Sequence, residues 1–377
     1  MSAPRTKVLV LGQTPPPWHG QAVMIQQIVD ARFEQLDVVH VRMEFSETHA
    51  EIGRASVRKL AHLAALIARV RRVQREHGAT VLYYPPAGGQ LTAVLRDIAL
   101  LTCLRGAFSH VVFHFHAAGV AEMQAQLPGW LRPLYRHAYE GVDRAILPSR
   151  NLPPDAARLK AKSIVIVPHG IPDEHPAWAE LAARTRTQSR ALQLLYVGML
   201  DESKGVTLLV DALAELSRRG IDARLRLVGA FANEAYRGVL ARHIAQRRLG
   251  DRIELSGVLI GPEKWRAYAT ADVLCLPTFY AAETFGLVAL EAMQLELPVV
   301  ATRWRALPEI VEHGETGLLV EPRDANALAD ALARLAQDPA LRRTLGANGR
   351  ARYLQRFGHE RFLRELEAAL TFSESSP

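Results

Sequence analysis

The sequence predicts an α/β protein built from two doubly wound parallel-sheet domains. Three observations carry that expectation. A chain of 377 residues exceeds the size at which a single core usually keeps growing. Short apolar runs alternate along it with stretches of helical spacing, the order that gives parallel strands flanked by helices. The alternation breaks once, between Pro168 and Arg190, and then restarts. That break holds three prolines and Arg184, Arg186 and Arg190, with little apolar patterning after Ala183. The expected division is an N-terminal domain over 1–175, a linker over 176–190, a C-terminal domain over 191–358, and a closing helical segment over 359–377.

Composition narrows the class. Apolar residues make up 49% and charged residues 23%, which fits a folded globular chain and excludes intrinsic disorder. Cys103 and Cys275 sit far apart inside apolar runs, a pattern with neither a disulfide framework nor metal-ligand spacing, so a reducing compartment is expected. No segment approaches ~18 uninterrupted apolar residues, and the start lacks the long apolar stretch of a secretory signal. A cytoplasmic protein is the expectation. The net charge of +7 points to anionic partners, or simply to an arginine-rich solvated surface.

In chain order, Lys7 to Leu11 reads as a first buried strand. It meets a loop with Pro15, Pro16 and Pro17, where no helix can form, and then His19-Gly20. Gln21 to Arg32 has helical spacing. A strand, a glycine-containing loop and a helix start can offer backbone N–H groups to a phosphate; an ordinary strand-to-helix connection reads the same way. Asp37 to Arg42 is a second strand and Ser46 to Ser56 a polar loop. Val57 to Glu76 is an amphipathic helix, with Leu60, Leu63, Leu66, Ile67, Val70 and Val73 on one side and Arg58, Arg69, Arg71, Arg72 and Arg75 on the other. Such a basic face suits an acidic membrane surface or plain solvation. Thr80 to Tyr84, His110 to Phe115, Arg144 to Leu147 and Ser163 to Val167 are further strands, with a helix over Gln90 to Arg105. His116 follows the fourth strand at the end where open α/β sheets bind ligands, although a structural role is common for a lone histidine there.

After the break, Leu192 to Val197 is a strand that runs into a polar loop with Lys204-Gly205 and a helix over Val206 to Arg219. This is again the outline of an anion site, with Lys204 as a point charge. Strands follow at Arg224 to Val228, Ile253 to Leu255, Asp272 to Leu276, Pro298 to Ala301 and Gly317 to Val320. Helices are expected over 235–248, 263–271, 325–337, 341–357 and 360–371.

The strand ending at Pro277 leads into Thr278 to Met293, where Glu283 and Glu291 lie eight positions apart. Glycoside hydrolases hold their two carboxyls roughly 5–9.5 Å apart, whereas eight residues of helix rise about 12 Å. The two acids are therefore too far apart to flank one bond and suit the ends of an elongated ligand better. Phosphates would then lie over Thr284, Phe285 and Gly286, at a helix start that favours negative charge. Two glutamates near a helix start are also ordinary dipole partners.

The assembly Glu283, Phe285-Gly286 and Glu291, with Ala292-Met293, Pro298-Val299-Val300-Ala301, Pro308-Glu309-Ile310-Val311, Gly314 and Gly317-Leu318-Leu319-Val320, resembles family 4 of the retaining glycosyltransferases. The resemblance implies the GT-B architecture, two Rossmann-like domains facing a cleft. It implies Glu283 on hydroxyls of the donor sugar, Glu291 on the ribose, and Lys204 on the diphosphate. It further implies Gly20 beside the β-phosphate, His116 near the reacting sugar, and Val258, Leu259 and Ile260 around the base. Thr284, Phe285, Gly286 and Leu287 complete the implied donor site, and the last helix packs back on the first domain. Two positions depart from the family. Met199 stands where Arg is frequent, so one diphosphate contact is either missing or supplied by Arg303 or Arg305, and His19-Gly20 stands where Gly-Gly is frequent.

The expected reaction is therefore transfer of a hexose, with retention, from a nucleotide diphosphate sugar to a saccharide or polyprenyl-linked acceptor in cell-envelope polysaccharide synthesis. The leaving phosphate would accept the acceptor proton, and domain closure would exclude water. Neither phosphate loop carries an Asp-x-Asp signature, so no essential metal and no cofactor are expected. Peripheral contact with an anionic membrane is a further expectation. The alternative is a nucleotide-sugar-binding protein without transferase activity. Nucleic acid is not an expected partner, because the basic helix carries no aromatic residue to stack on bases.

Overall fold

A computed structural model describes residues 5–43, 57–186 and 191–372. The chain divides into two compact units, Met1–His169 with Glu360–Pro377, and Gly170–His359. The polar loop expected over Ser46 to Ser56 and the side chains of Arg58 and Leu60 lie outside the described residues.

The first unit runs β1 (Thr6–Gly12), α1 (Gly20–Asp30), β2 (Leu36–Arg42), α2 (Val57–His77), β3 (Val81–Tyr84), α3 (Leu91–Leu104), β4 (His110–His114), α4 (Met123–Gln126), α5 (Arg132–Tyr139), β5 (Arg144–Leu147), α6 (Asp155–Arg158) and β6 (Ile164–Ile166). Its strands form one six-stranded sheet in the order β2-β1-β3-β4-β5-β6, all pairs parallel. The inner strands are almost wholly apolar because both faces of a parallel sheet are covered. Leu9, Leu11, Leu82 and Phe113 pack in one core with Leu66 and Val70 of α2, while Arg69, Arg71 and Arg72 are exposed. The predicted amphipathic helix thus buries its apolar stripe and exposes its arginines.

The second unit runs α7 (His175–Arg186), β7 (Leu192–Val197), α8 (Val206–Arg218), β8 (Ala223–Val228), α9 (Glu234–Arg247), β9 (Ile253–Gly257), α10 (Gly261–Ala269), β10 (Val273–Leu276), α11 (Leu287–Gln294), β11 (Val299–Thr302), α12 (Leu307–Ile310), β12 (Gly317–Val320), α13 (Ala325–Gln337) and α14 (Pro339–Arg356). Its sheet order is β12-β11-β10-β7-β8-β9. Counted from β7 as the first strand, this is the 3-2-1-4-5-6 order of dinucleotide-binding sheets. Adjacent residues face opposite sides of the sheet. Leu194 and Tyr196 join one core with Leu213 and Leu332, and Leu195 and Leu274 join the other with Leu290 and Met293.

The stretch 176–190, left as a linker by its poor patterning, carries helix α7 up to Arg186. Trp178 packs on the second unit's core, so one aromatic contact replaces the apolar stripe that pattern reading needs. The last helix, α15 (His359–Leu370), serves the first unit from Glu360 onward. There Arg144 donates to the carbonyl of Ala369 and stacks on Phe372.

Candidate active site

In an open parallel sheet, ligands bind beyond the strand C-termini where the strand order reverses. In the second unit that point lies between β7 and β10, which pair in parallel. The loop leaving β7 carries Lys204 and the loop leaving β10 carries Glu283. Asp201 caps a short 3₁₀ turn over Glu202–Lys204 by accepting from Ser203 N. Gly205 then adopts φ +76, and a Cβ on it would stand 2.2 Å from the carbonyl oxygen of Pro277. Glycine is therefore what lets the Lys204 loop lie against the end of β10. Phe279 N donates to Ser203 O at 2.8 Å and laces the two loops together. As a result Lys204 Nζ donates to Glu283 Oε2 at 2.7 Å, with side chains only 16% and 12% exposed. The ammonium also sits 4.5 Å from the Tyr280 ring centre, a cation–π contact.

This geometry corrects one premise. Glu283 is not on a helix: α11 begins at Leu287, after Gly286 at φ 88. The helical rise from Glu283 to Glu291 therefore does not apply, because a glycine in the left-handed region turns the chain before the helix starts. The separation of the two carboxylates rests instead on their partners. Glu283 has Lys204. Glu291, in α11, accepts from Lys264 Nζ and from Tyr268 Oη, each at 2.7 Å. Lys264 and Tyr268 sit one turn apart on α10, so both reach the same carboxylate. Burial beside Glu291 holds the Tyr268 phenol well above its usual range, as a neutral donor. Val258 and Ile260, exposed, and Leu259, half-buried, lead directly into α10.

Thr284 and Phe285 are buried, and the Phe285 ring meets Phe357 edge-on at 6.0 Å. The Phe285 side chain belongs to the second unit's core. Leu287 is the first residue of that helix. Arg303 pairs with Glu321 at 3.4 Å, whereas Arg305 donates to Ala281 O at 3.0 Å. Of the two arginines suggested to offset Met199, Arg305 is the one that touches the Glu283 loop. Met199 itself is exposed, and its carbonyl accepts from Tyr196 Oη at 2.7 Å.

In the first unit the loop after β1 ends at His19, whose Nδ1 accepts from Ala22 N and caps α1, and Gly20 is the helix's first residue. His116 follows β4. Its ring stacks on His169 with centroids 5.0 Å apart and lies 4.2 Å from His114. Tyr83 Oη lies 2.7 Å from His114 Nδ1 and 3.3 Å from His116 Nε2. Burial pushes all three imidazoles down, His169 to about 3, with His114, His169 and His19 adding repulsion at His116. His116 is thus a member of a neutral cluster and not a lone side chain. Sequence reasoning missed Lys264, Tyr268, Tyr83, His114 and His169. Lys264 and Tyr268 meet Glu291, and Tyr83 and His169 meet His116, from separate elements. His114, two positions before His116 at the same strand end, had that alternate spacing as its one available signal.

The fold is the GT-B architecture, two Rossmann-like α/β units. Sucrose-phosphate synthase from Thermosynechococcus elongatus shares it at TM-score 0.75 and 23% identity, over 97% of this chain and 98% of that one. Anabaena HepE, solved in complex with UDP-glucose, shares it at TM-score 0.74 and 21% identity, over 97% and 99%. Within the chain, residues 180–352 match the family Glycosyl transferases group 1. A D-inositol 3-phosphate glycosyltransferase from Pseudarthrobacter chlorophenolicus is 36% identical over 188 residues, which is 46% of this chain and 44% of that protein. The matched region thus spans less than half of that relative. Among the described residues no helix is long and apolar enough to cross a membrane.

Proposed function

We propose that the chain is a retaining glycosyltransferase that moves a hexose from a nucleotide diphosphate sugar to a saccharide or polyprenyl-linked acceptor in cell-envelope polysaccharide synthesis. The observation that carries this reading is the Lys204–Glu283 pair beside the start of α11. A cation and a helix N-terminus there favour a diphosphate, and a carboxylate next to them suits sugar hydroxyls. Glu291, held by Lys264 and Tyr268, is placed to accept from a ribose, with Val258, Leu259 and Ile260 beside the base. The group 1 match over the same unit and HepE's complex with UDP-glucose support a nucleotide-sugar donor. Gly20 and His116 would act on the β-phosphate and the reacting sugar.

In this mechanism Lys204 and the first N–H groups of α11 stabilise charge growing on the departing diphosphate. The acceptor proton passes to that phosphate as the new glycosidic bond forms on the same face. No metal is assigned to this step; loss of activity in EDTA with rescue by magnesium would overturn that. The direct test is a thermal-shift screen of nucleotide sugars, because a specific ligand stabilises the folded state by mass action. Products from the best donor are then read by NMR for anomeric configuration. An inverted product refutes retention, and no stabilisation by any nucleotide sugar refutes the donor site.

The second reading, nucleotide-sugar binding without transfer, is favoured by Met199 alone. Calorimetric binding with no product over an acceptor panel would establish it. The exposed Arg69, Arg71 and Arg72 suit a cytoplasmic enzyme resting on an anionic inner-membrane face. Reversing their charge should weaken binding to anionic liposomes, and unchanged binding points to a soluble acceptor.

A further inference from the structure

We infer that His114, His116 and His169 form a binding site for a divalent transition-metal ion of the zinc, cobalt, nickel or copper class. One ligand nitrogen from each ring lies within 4.8 Å of the others. The rings come from two separate parts of the first unit, the end of β4 and the chain that follows β6. His114 and His169 are buried and His116 is half-buried. A metal held at roughly 2.0–2.1 Å by imidazole nitrogens in a tetrahedral site puts those nitrogens about 3.3 Å apart, so the widest pair must close by up to about 1.5 Å.

A second observation points to the same place. Among the described residues His114 Nε2 is fully buried with no hydrogen-bond partner, while its Nδ1 is engaged by Tyr83 Oη at 2.7 Å. A buried polar atom without a partner is uncommon and calls for an explanation. Metal-ligating histidines characteristically hold their second nitrogen in a hydrogen bond, which fixes the ring and its tautomer. In this arrangement His114 Nδ1–H donates to Tyr83 Oη, and Nε2 presents its lone pair to the cluster. Tyr83 Oη in turn donates to His116 Nε2 at 3.3 Å. Three neutral imidazoles with no carboxylate suit borderline-soft ions, not magnesium or calcium, which take oxygen ligands. Three protein ligands also leave a fourth position open.

The site differs from the metal absent from the proposed mechanism: it lies in the first unit and has no phosphate-binding residue. Resting on the proposed role of His116, a bound ion would withdraw that ring from the reaction, so zinc would inhibit. Metal binding itself is tested independently of activity. The untagged full-length chain is stripped with a chelator and titrated with zinc by calorimetry, and with cobalt by visible absorption. One ion per chain is expected, with the intense absorption of low-coordinate cobalt. His114→Gln and His169→Gln should each weaken binding about 100-fold, and Tyr83→Phe about 10-fold. Binding that is absent from the wild type, or equal in the variants, overturns the assignment. Should a variant fail to fold, copper electron spin resonance on the wild type decides. Several coordinated imidazole nitrogens support the site, and one or none refutes it.

Discussion

Removing the Lys204 ammonium is the sharpest perturbation of the second unit. Lys204→Ala removes the cation from the Glu283 carboxylate, whose side chain is 12% exposed in the intact pair and which keeps Thr278 Oγ1 at 3.5 Å. Breaking a fully buried ion pair costs about 3–5 kcal/mol, and an exposed one under about 1 kcal/mol. With side chains 16% and 12% exposed, this pair lies nearer the first case, so about 2–3 kcal/mol is expected. At about 2–4 °C per kcal/mol for a unit of this size, the calorimetric Tm should fall by about 5–10 °C. Glu283→Gln should cost a similar amount by stranding the ammonium. The double variant Lys204→Met/Glu283→Gln strands no charge and should recover about 1–2 kcal/mol relative to the sum of the singles. Turnover should behave differently. Each single variant and the double should lose about 10²–10³-fold, because in the proposed mechanism the transition state uses both groups whatever they do for each other. Strictly additive stabilities would refute the ion pair. Wild-type turnover in Lys204→Ala, with the protein folded, would refute the catalytic reading.

Gly205→Ala forces a Cβ against Pro277 O at a φ of +76, so it should cost about 2 kcal/mol or more and weaken donor binding in calorimetry; a wild-type Tm would contradict the loop packing. Tyr268→Phe removes a single bond to Glu291. It should reduce donor affinity about tenfold, or about 1.4 kcal/mol, and an unchanged Kd would remove Glu291 from the ribose site. Asp173 gives a pH-dependent test. Burial opposes its ionisation, but two bonds from Arg350 and one from His175 N outweigh burial and lower its pKa. A depressed carboxyl contributes stability above the unfolded value, about 3.9, and loses it as pH falls through the lower folded value. Asp173→Asn should therefore cost about 1 kcal/mol near pH 7, and the difference should vanish in acid; an equal penalty at both pH values refutes the pairing.

Much of the architecture was legible because it is local. Strands buried on both faces read as apolar runs such as Val8 to Leu11, and helices such as α13 read as a 3.6-residue stripe. Helix α7 escaped because its packing hangs on Trp178 and not on a stripe. The short α4, α6 and α12 escaped because one turn has no period to detect.

For the candidate site, the sequence alone set the residue types and their places at strand ends: Lys204-Gly205 after β7, Glu283 and Gly286 after β10, Glu291 in the helix beyond. That was possible because a strand, a glycine turn and a helix start are all written in contiguous residues. The partners were decided only by tertiary structure. Strand order brings β7 beside β10 and so joins Lys204 to Glu283 across 79 positions. Packing of α10 near α11 gives Glu291 its lysine and tyrosine. The left-handed Gly286, not a continuous helix, sets the offset between the two glutamates. The histidine cluster arises in the same way. Sequence marked His116 by its place at a strand end, while the pairing of β3 with β4 and the return of the chain at His169 supplied the rest. Side-chain chemistry is a property of each residue, but which charges and lone pairs meet is fixed by strand order, and strand order is not encoded at any one spacing.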